Sequence, residues 1–286
     1  MRWLITGAGG QLATHAERRL RNDGDDVVAL PRSELDITSA EDVESVIVAE
    51  HPDVVLNAAA YTAVDAAQDN ETAAAAANDL GPRLLAATLA RHGGRLLHVS
   101  TDYVFDGTAD YAYDVNDKVG PQGVYGRTKL AGELAVRAEL PGRSHVVRTA
   151  WVYGGPGANF VDTMIRLEGE RETLDVVADQ IGCPTWVGDL AAGLIELGRS
   201  DVAAGVLHYV NAGQASWCDL ARETFRLIGA DPARVHAIGS DAFPSKTKRP
   251  GWSVLSTRAW QAAGLTPPRA WQDALAEAIS TRSPAA

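Results

Sequence analysis

The stretch Leu4-Ile5-Thr6-Gly7-Ala8-Gly9-Gly10-Gln11-Leu12 joins an apolar, strand-like run to a helix-like one at the start of the chain. A strand, a Gly-rich turn and a helix in that order form the fingerprint of a dinucleotide-binding turn. Glycine lets the backbone approach a pyrophosphate where a Cβ would obstruct it. The helix N-terminus then turns free N–H groups toward the phosphates. An ordinary tight turn is the competing reading, and the placement between strand and helix favours the first. Gly7, Gly10, Gln11 and Leu12 are therefore candidate cofactor contacts.

Working outward, short apolar runs at 3–6, 27–30, 54–57, 95–100 and 145–149 read as strands. Helix-like stretches at 12–21, 40–50, 73–91 and 125–139 alternate with them. This alternation predicts right-handed βαβ units and a parallel sheet. The strands are continuously apolar, as expected when helices cover both faces. After Gly154-Gly155-Pro156-Gly157 the pattern changes. Helices are expected at 160–168, 189–197, 217–228 and 271–279, with Ser216 as an N-cap, and strands at 174–177 and 206–210. The fold class is α/β: a Rossmann-like doubly wound parallel sheet with a smaller C-terminal α/β substrate domain. Residues 1–154 and about 183–210 are assigned to the dinucleotide-binding part, and about 155–182 and 211–286 to the second part. Nothing resembling a flexible linker separates them, so a cleft between the two is expected.

The whole chain has 286 residues, 46% hydrophobic and 22% charged, which excludes a disordered or fibrous protein. Lys and Arg number 26 against 37 Asp and Glu, a net charge of −11. So acidic a surface argues against nucleic acid or an anionic membrane as the main partner. Small anionic ligands remain open, because a helix N-terminus and a few cations can form a local positive pocket. No apolar run approaches the roughly 20 residues that span a bilayer, and the N-terminus has no leader-like segment, so a cytoplasmic location is expected. Cys183 and Cys218 form no CxxC pair and read as free thiols or one disulfide. The seven histidines form no ligand cluster, and no metal site is expected.

Beyond the second strand lie Arg32 and Ser33, where a carboxylate would favour NAD by binding ribose hydroxyls. A guanidinium there suits a 2′-phosphate and leans toward NADPH, with NADH as the alternative. An exposed surface arginine is the plainer reading. Asp36 and Ile37 either border the adenine or belong to a helix-capping region. Ala58, Ala59 and Ala60 follow the third strand and either let a cofactor cross the strand end or simply pack. Tyr125 and Lys129 stand four apart on one helix face. A nearby ammonium is expected to lower the tyrosine pKa, making it a general acid or base toward a carbonyl or alcohol. Thr101, at the end of the fourth strand, offers a hydroxyl to the reacting oxygen.

These motifs resemble the dTDP-4-dehydrorhamnose reductase family of the extended short-chain dehydrogenase/reductases. The matching segments are TGAGGQL (6–12), ELDIT (34–38), NAAAYTAVD (57–65), HVSTDYVFDG (98–107), QGVYGRTKLAGE (122–133), VRTAWVYG (147–154), NFVDTM (159–164) and DQIGCPT (179–185). Two departures stand out. Ala13 replaces the small glycine often found at the end of the turn, and the tail around Lys248-Arg249-Pro250 matches more loosely. The resemblance implies an NAD(P)H-dependent oxidoreductase reducing the C4 keto group of a dTDP-4-dehydro-6-deoxy-L-hexose. dTDP-4-dehydro-L-rhamnose leads, and other dTDP-deoxysugars are the alternative.

Tyr125 would donate the proton, Lys129 would hold the nicotinamide ribose, and Thr101 would bind the substrate oxygen. Thr62, Val64, Asp102 and Tyr103 would belong to the substrate pocket. Related 4,6-dehydratases carry Asp-Glu after the threonine; Asp102-Tyr103 here argues for simple reduction. Trp151 is either an aromatic wall for the sugar or a core residue. Asn159 and the turn Asp179-Gln180 are substrate contacts or capping and loop residues. Arg249 meets the diphosphate or is a solvated charge beside Lys246 and Lys248. A non-catalytic regulatory subunit of the same superfamily would have a damaged triad, whereas Thr101, Tyr125 and Lys129 are all present. A monomer or a homodimer is expected.

Overall fold

The computed structural model describes residues 1–242 and 245–282. The expected second part runs to residue 286, so residues 243–244 and 283–286 within it lie outside the described residues. Six strands form the main sheet: β1 (Arg2–Thr6), β2 (Asp26–Leu30), β3 (Val54–Asn57), β4 (Arg95–Thr101), β5 (Ser144–Thr149) and β6 (Gly205–His208). All pair in parallel, in the order β6-β5-β4-β3-β1-β2. From β1 the chain goes to β2 on one side and then crosses to β3 on the other. Such a switch point opens a crevice at the carboxyl ends of the strands. The Gly-rich turn follows β1 and Ala58–Ala60 follow β3, so both flank that crevice.

Side chains alternate between the two sheet faces. On one face Trp3, Ile5 and Leu56 pack with Ala13, Ala16 and Leu20 of α1 (Gln11–Asn22) and with Leu190 and Leu194 of a later helix, Val187–Arg199. On the other, Leu4, Val55 and Leu96 pack with Val43 and Ile47 of α2 (Ala40–Glu50) and with Leu85 and Leu89 of α3 (Gly81–His92). Each large side chain so buried contributes about 1.5–3 kcal/mol. Burial on both faces explains the continuously apolar strands.

The expected helix at 73–91 is interrupted. An α-helical piece, Glu71–Ala75, passes into a π-turn, Ala76–Leu80, before α3 begins. Pro82 has no N–H to give the Asn78 carbonyl four residues earlier, so the regular ladder cannot run through. That carbonyl faces Gly132 of α4 (Val124–Glu139), where a Cβ would sit 2.0 Å from the Asn78 oxygen. Glycine at 132 therefore permits the close approach of the helix that carries Tyr125 and Lys129.

In the second part, Leu174–Val177 pairs in parallel with Val235–Ile238, and Ile181–Gly182 pairs antiparallel with Ala215–Ser216. Val152–Tyr153 pairs in parallel with Thr185–Trp186. Sequence pattern misses these partners. Two residues carry no periodicity, and Val235–Ile238 buries only Val235 fully. Ser216 caps the helix Trp217–Leu227 in a capping box with Asp219. Both cysteines are free and buried, which removes the disulfide alternative. No helix among the described residues is long and apolar enough to cross a membrane.

Candidate functional site

A cleft of 640 Å³ opens at the carboxyl ends of β1, β3 and β4. Gly7, Gly10, Gln11 and Leu12 line one end of it. Gly7 has φ +72°, and a Cβ there would stand 3.0 Å from the Ala59 backbone. The two loops therefore meet only because residue 7 is glycine. Gly10 precedes α1 and supplies no side-chain cap, leaving the first N–H groups of the helix free for a ligand. Arg32, Asp36 and Ile37 border the same end, and Ala58, Ala59 and Ala60 form the floor. The Arg32 side chain is 83% exposed, 3.4 Å from Asp36. Asp36 also accepts from the Thr38 N–H and hydroxyl, at 3.0 and 2.8 Å, and these bonds hold its carboxyl below the usual range.

Thr62, Val64, Thr101, Asp102, Tyr103, Tyr125, Lys129 and Trp151 line the other end. Thr101 ends β4 in an extended conformation, and its Oγ1 accepts from the Tyr103 N–H at 3.2 Å. Its hydroxyl also stands beside the Tyr125 phenol in the cleft. Burial drives the Tyr125 pKa well above its ordinary value, Thr101 opposes this, and Asp102 and Tyr103 add to it. The expectation that Lys129 draws Tyr125 down is therefore corrected. Lys129 Nζ donates instead to the Val99 carbonyl at 2.6 Å. Burial pushes the Lys129 ammonium down to about 8, opposed by Glu133 one turn along the helix. Glu133 in turn accepts from Ser100 Oγ at 2.5 Å and pairs with Arg148 at 2.7 Å, all buried.

Asn159 and Arg249 stand outside the residues lining the cleft. Asn159 caps the helix Phe160–Glu170: its Oδ1 accepts from the Asp162 N–H at 3.0 Å. Arg249 is ion-paired with Asp65 at 2.7 Å and lies near Tyr103, which lines the cleft. Asp179 accepts from the Ser240 N–H and hydroxyl, and Gln180 bridges Ser240 and the Trp217 indole. That indole lies flat on Trp151, with ring centroids 3.5 Å apart and planes 4° apart. Trp151 adopts φ +48°, an uncommon backbone for a large residue.

Two residues that shape the site escape sequence reasoning. One is Trp217. The other is Asn78 in the π-turn, whose side chain bonds the Tyr61 N–H and carbonyl at 2.8 and 3.1 Å and the Thr128 hydroxyl at 3.1 Å. Asn78 thereby ties the loop after β3 to α4. A buried asparagine amid alanines, three residues before Gly81-Pro82, is the signal that could have found it.

The family model of the RmlD substrate binding domain matches residues 1–283. A Streptomyces antibioticus protein, probable dTDP-4,6-dihydroxy-2-methyloxan-3-one 4-ketoreductase, is 49% identical, covering 98% of this chain and 95% of its own. The dTDP-4-dehydrorhamnose reductase of Mycobacterium tuberculosis (strain CDC 1551 / Oshkosh) is also 49% identical, with 98% and 92% covered. Among solved structures, the dTDP-4-dehydrorhamnose reductase of Bacillus anthracis str. Ames in complex with NADP superposes with a TM-score of 0.95 at 34% identity. It covers 98% of this chain and 99% of that one. By sequence over nearly its whole length, and by fold, the chain belongs to the RmlD substrate-binding-domain family, among whose members are the dTDP-4-dehydrorhamnose reductases.

Proposed function

We propose that the chain reduces the C4 keto group of a dTDP-4-dehydro-6-deoxy-L-hexose with NADPH, with dTDP-4-dehydro-L-rhamnose as first substrate. The observation that carries this is the cleft itself. It brings the Thr101–Tyr125 pair and Lys129 to a strand end shared with an uncapped helix N-terminus. The cofactor's residues fit: the α1 N-terminus would take the diphosphate, Arg32 the 2′-phosphate, Ala58–Ala60 the nicotinamide side, and Lys129 the ribose. When bound, NADPH supplies the hydride to C4. Residues 1–154 with about 183–210 would hold it, and about 155–182 with 211–286 the sugar nucleotide, a division supported by β6 joining the main sheet.

Thr101 and Tyr125 would both bond the carbonyl oxygen. Because burial raises the Tyr125 pKa, the phenol keeps its proton at neutral pH. It releases the proton only as alkoxide character develops, since an alkoxide is a stronger base than a phenolate. Trp151, Tyr103, Thr62 and Val64 would wall the sugar, and Arg249 would meet the diphosphate by exchanging Asp65 for phosphate oxygens. Asn159 would act on the site by starting its helix.

Incubation with dTDP-4-dehydro-L-rhamnose and NADPH should oxidise NADPH and yield dTDP-L-rhamnose; no oxidation above background overturns this substrate. The 49% identity to both the antibioticus ketoreductase and the tuberculosis reductase favours a second dTDP-keto sugar equally, so a panel of such sugars ranked by kcat/KM decides between them. For the cofactor, Arg32→Ala should raise KM for NADPH roughly ten- to a hundredfold, the loss of one charge-assisted contact. KM for NADH should barely change. Equal effects on both would remove Arg32 from the 2′-phosphate site.

A further inference from the structure

We propose that Trp217 is a positioning residue for the sugar end of the cleft, holding Trp151 in place as the wall that recognises the sugar. The proposal rests on the reductase reading, which puts a dTDP-4-keto sugar against Trp151. Trp151 lines the cleft with its backbone at φ +48°. A bulky residue at positive φ is an outlier, and it persists only where its surroundings over-determine it. Three contacts do so here. The Trp217 indole covers one face of Trp151, with centroids 3.5 Å apart and planes 4° apart. Gly182 backs the same indole so closely that a Cβ would stand 2.5 Å from it. The Trp151 carbonyl accepts from the Thr185 N–H at 3.2 Å. Of the three, only the Trp217 ring holds the side chain through a side chain, and it fills the space behind the wall.

Trp217 is itself fixed from several sides. It is the first residue of the helix Trp217–Leu227, whose start the Ser216–Asp219 capping box sets. Ser216 belongs to the strand pair with Ile181–Gly182, which joins the residue before Trp217 to the glycine behind Trp151. The Trp217 Nε1–H donates to Gln180 Oε1 at 3.2 Å, and Gln180 Nε2 donates to Ser240 Oγ at 2.8 Å. The Phe160 ring leans on Trp217, with centroids 4.7 Å apart. Phe160 is the first residue of the helix that Asn159 caps. Two capped helix starts thus each place one aromatic ring behind Trp151. Phe160, Gln180 and Trp217 lie in the part assigned to the sugar nucleotide, and Trp151 in the part assigned to the cofactor. Through the stack, the first part sets the position of a wall carried by the second. An indole gives the C–H and methyl surface of a deoxysugar an apolar partner. Bare dTDP lacks the sugar that this wall would touch.

The test uses the full chain with NADPH and a dTDP-4-keto sugar. Trp217→Ala empties the space behind Trp151. KM for the sugar nucleotide should rise about 10–100-fold while kcat falls less than about threefold, the pattern of lost uniform binding. KM for NADPH and Kd for dTDP alone should change less than about twofold. Trp217→Phe keeps a flat ring and should bring KM back to within about threefold of wild type. Trp217→Leu fills space without a flat face and should not, so the proposal stays testable if the alanine variant does not fold. Independently of turnover, 5-fluorotryptophan labelling should give a fluorine NMR resonance for each of the seven tryptophans. The Trp151 resonance, identified by its loss in Trp151→Phe, should move when the sugar nucleotide binds and stay put with dTDP. An unchanged KM in Trp217→Ala, a leucine variant as good as the phenylalanine one, or equal weakening of dTDP and sugar nucleotide overturns the positioning role alone. Wild-type protein that turns over no 4-keto sugar overturns the reductase reading and takes the wall's ligand with it.

Discussion

Tyr125→Phe should lower kcat at least about a hundredfold, the usual loss when a general acid is removed. The substitution deletes one oxygen and leaves the ring, so the edge-on contact with Tyr103, centroids 5.5 Å apart, should persist. Folding should be nearly untouched, because the lost oxygen leaves behind a Thr101 hydroxyl that still bonds Asp102 and the Tyr103 N–H. KM for the sugar should move little, since the proton is transferred only as charge develops on the oxygen. NADPH binding, followed by fluorescence, should stay within about threefold. A variant with wild-type kcat would reject Tyr125 as the acid. A variant that lost cofactor binding would show that the hydroxyl holds the ligand as well as the proton.

The reach of sequence reasoning can be judged around that same tyrosine. The spacing of Tyr125 and Lys129 places both on one face, and the glycines after β1 mark where the crevice opens; local rules suffice for both. The protonation chemistry does not follow from spacing. Four residues along a helix bring Lys129 near Tyr125, but the tertiary fold offers Nζ the Val99 carbonyl and buries the phenol. The π-turn needs Pro82 and Gly132 read together, although they are fifty residues apart. Trp151 and Trp217 stack through a fold that no local pattern links. Asn159 was legible in principle: Asn159-x-x-Asp162 has the form of a helix start, like Ser216-x-x-Asp219, and the structure shows both as caps. A family pattern marks such a residue as near the substrate without saying whether it touches the ligand or the backbone.

Glu133→Ala should destabilise the fold by about 3–5 kcal/mol, the usual effect of removing one partner of a buried pair, with Tm lower by on the order of 10 °C. Glu133 and Arg148 side chains are 2% and 5% exposed. Three contacts bind them, from Arg148 Nε at 2.9 and 3.2 Å and from Nη2 at 2.7 Å, and Ser100 donates a fourth. Without Glu133, the Arg148 charge keeps, among the described residues, the Phe105 ring, 5.0 Å away, and the Val115 carbonyl at 3.5 Å. Replacing both partners by apolar residues, Glu133→Leu with Arg148→Met, should recover most of the loss, because no uncompensated charge remains.

The double variant should still differ from wild type in its pH profile. Glu133 supports the Lys129 ammonium against burial, so its removal should carry the Lys129 titration below about 8. A lysine that must be charged then loses its proton at lower pH, and the upper alkaline limb of kcat should move down. Stability and pH profile thus separate two duties of one carboxylate, balancing Arg148 and holding a proton on Lys129. A double variant that recovers both stability and the wild-type limb would leave Glu133 only the first duty.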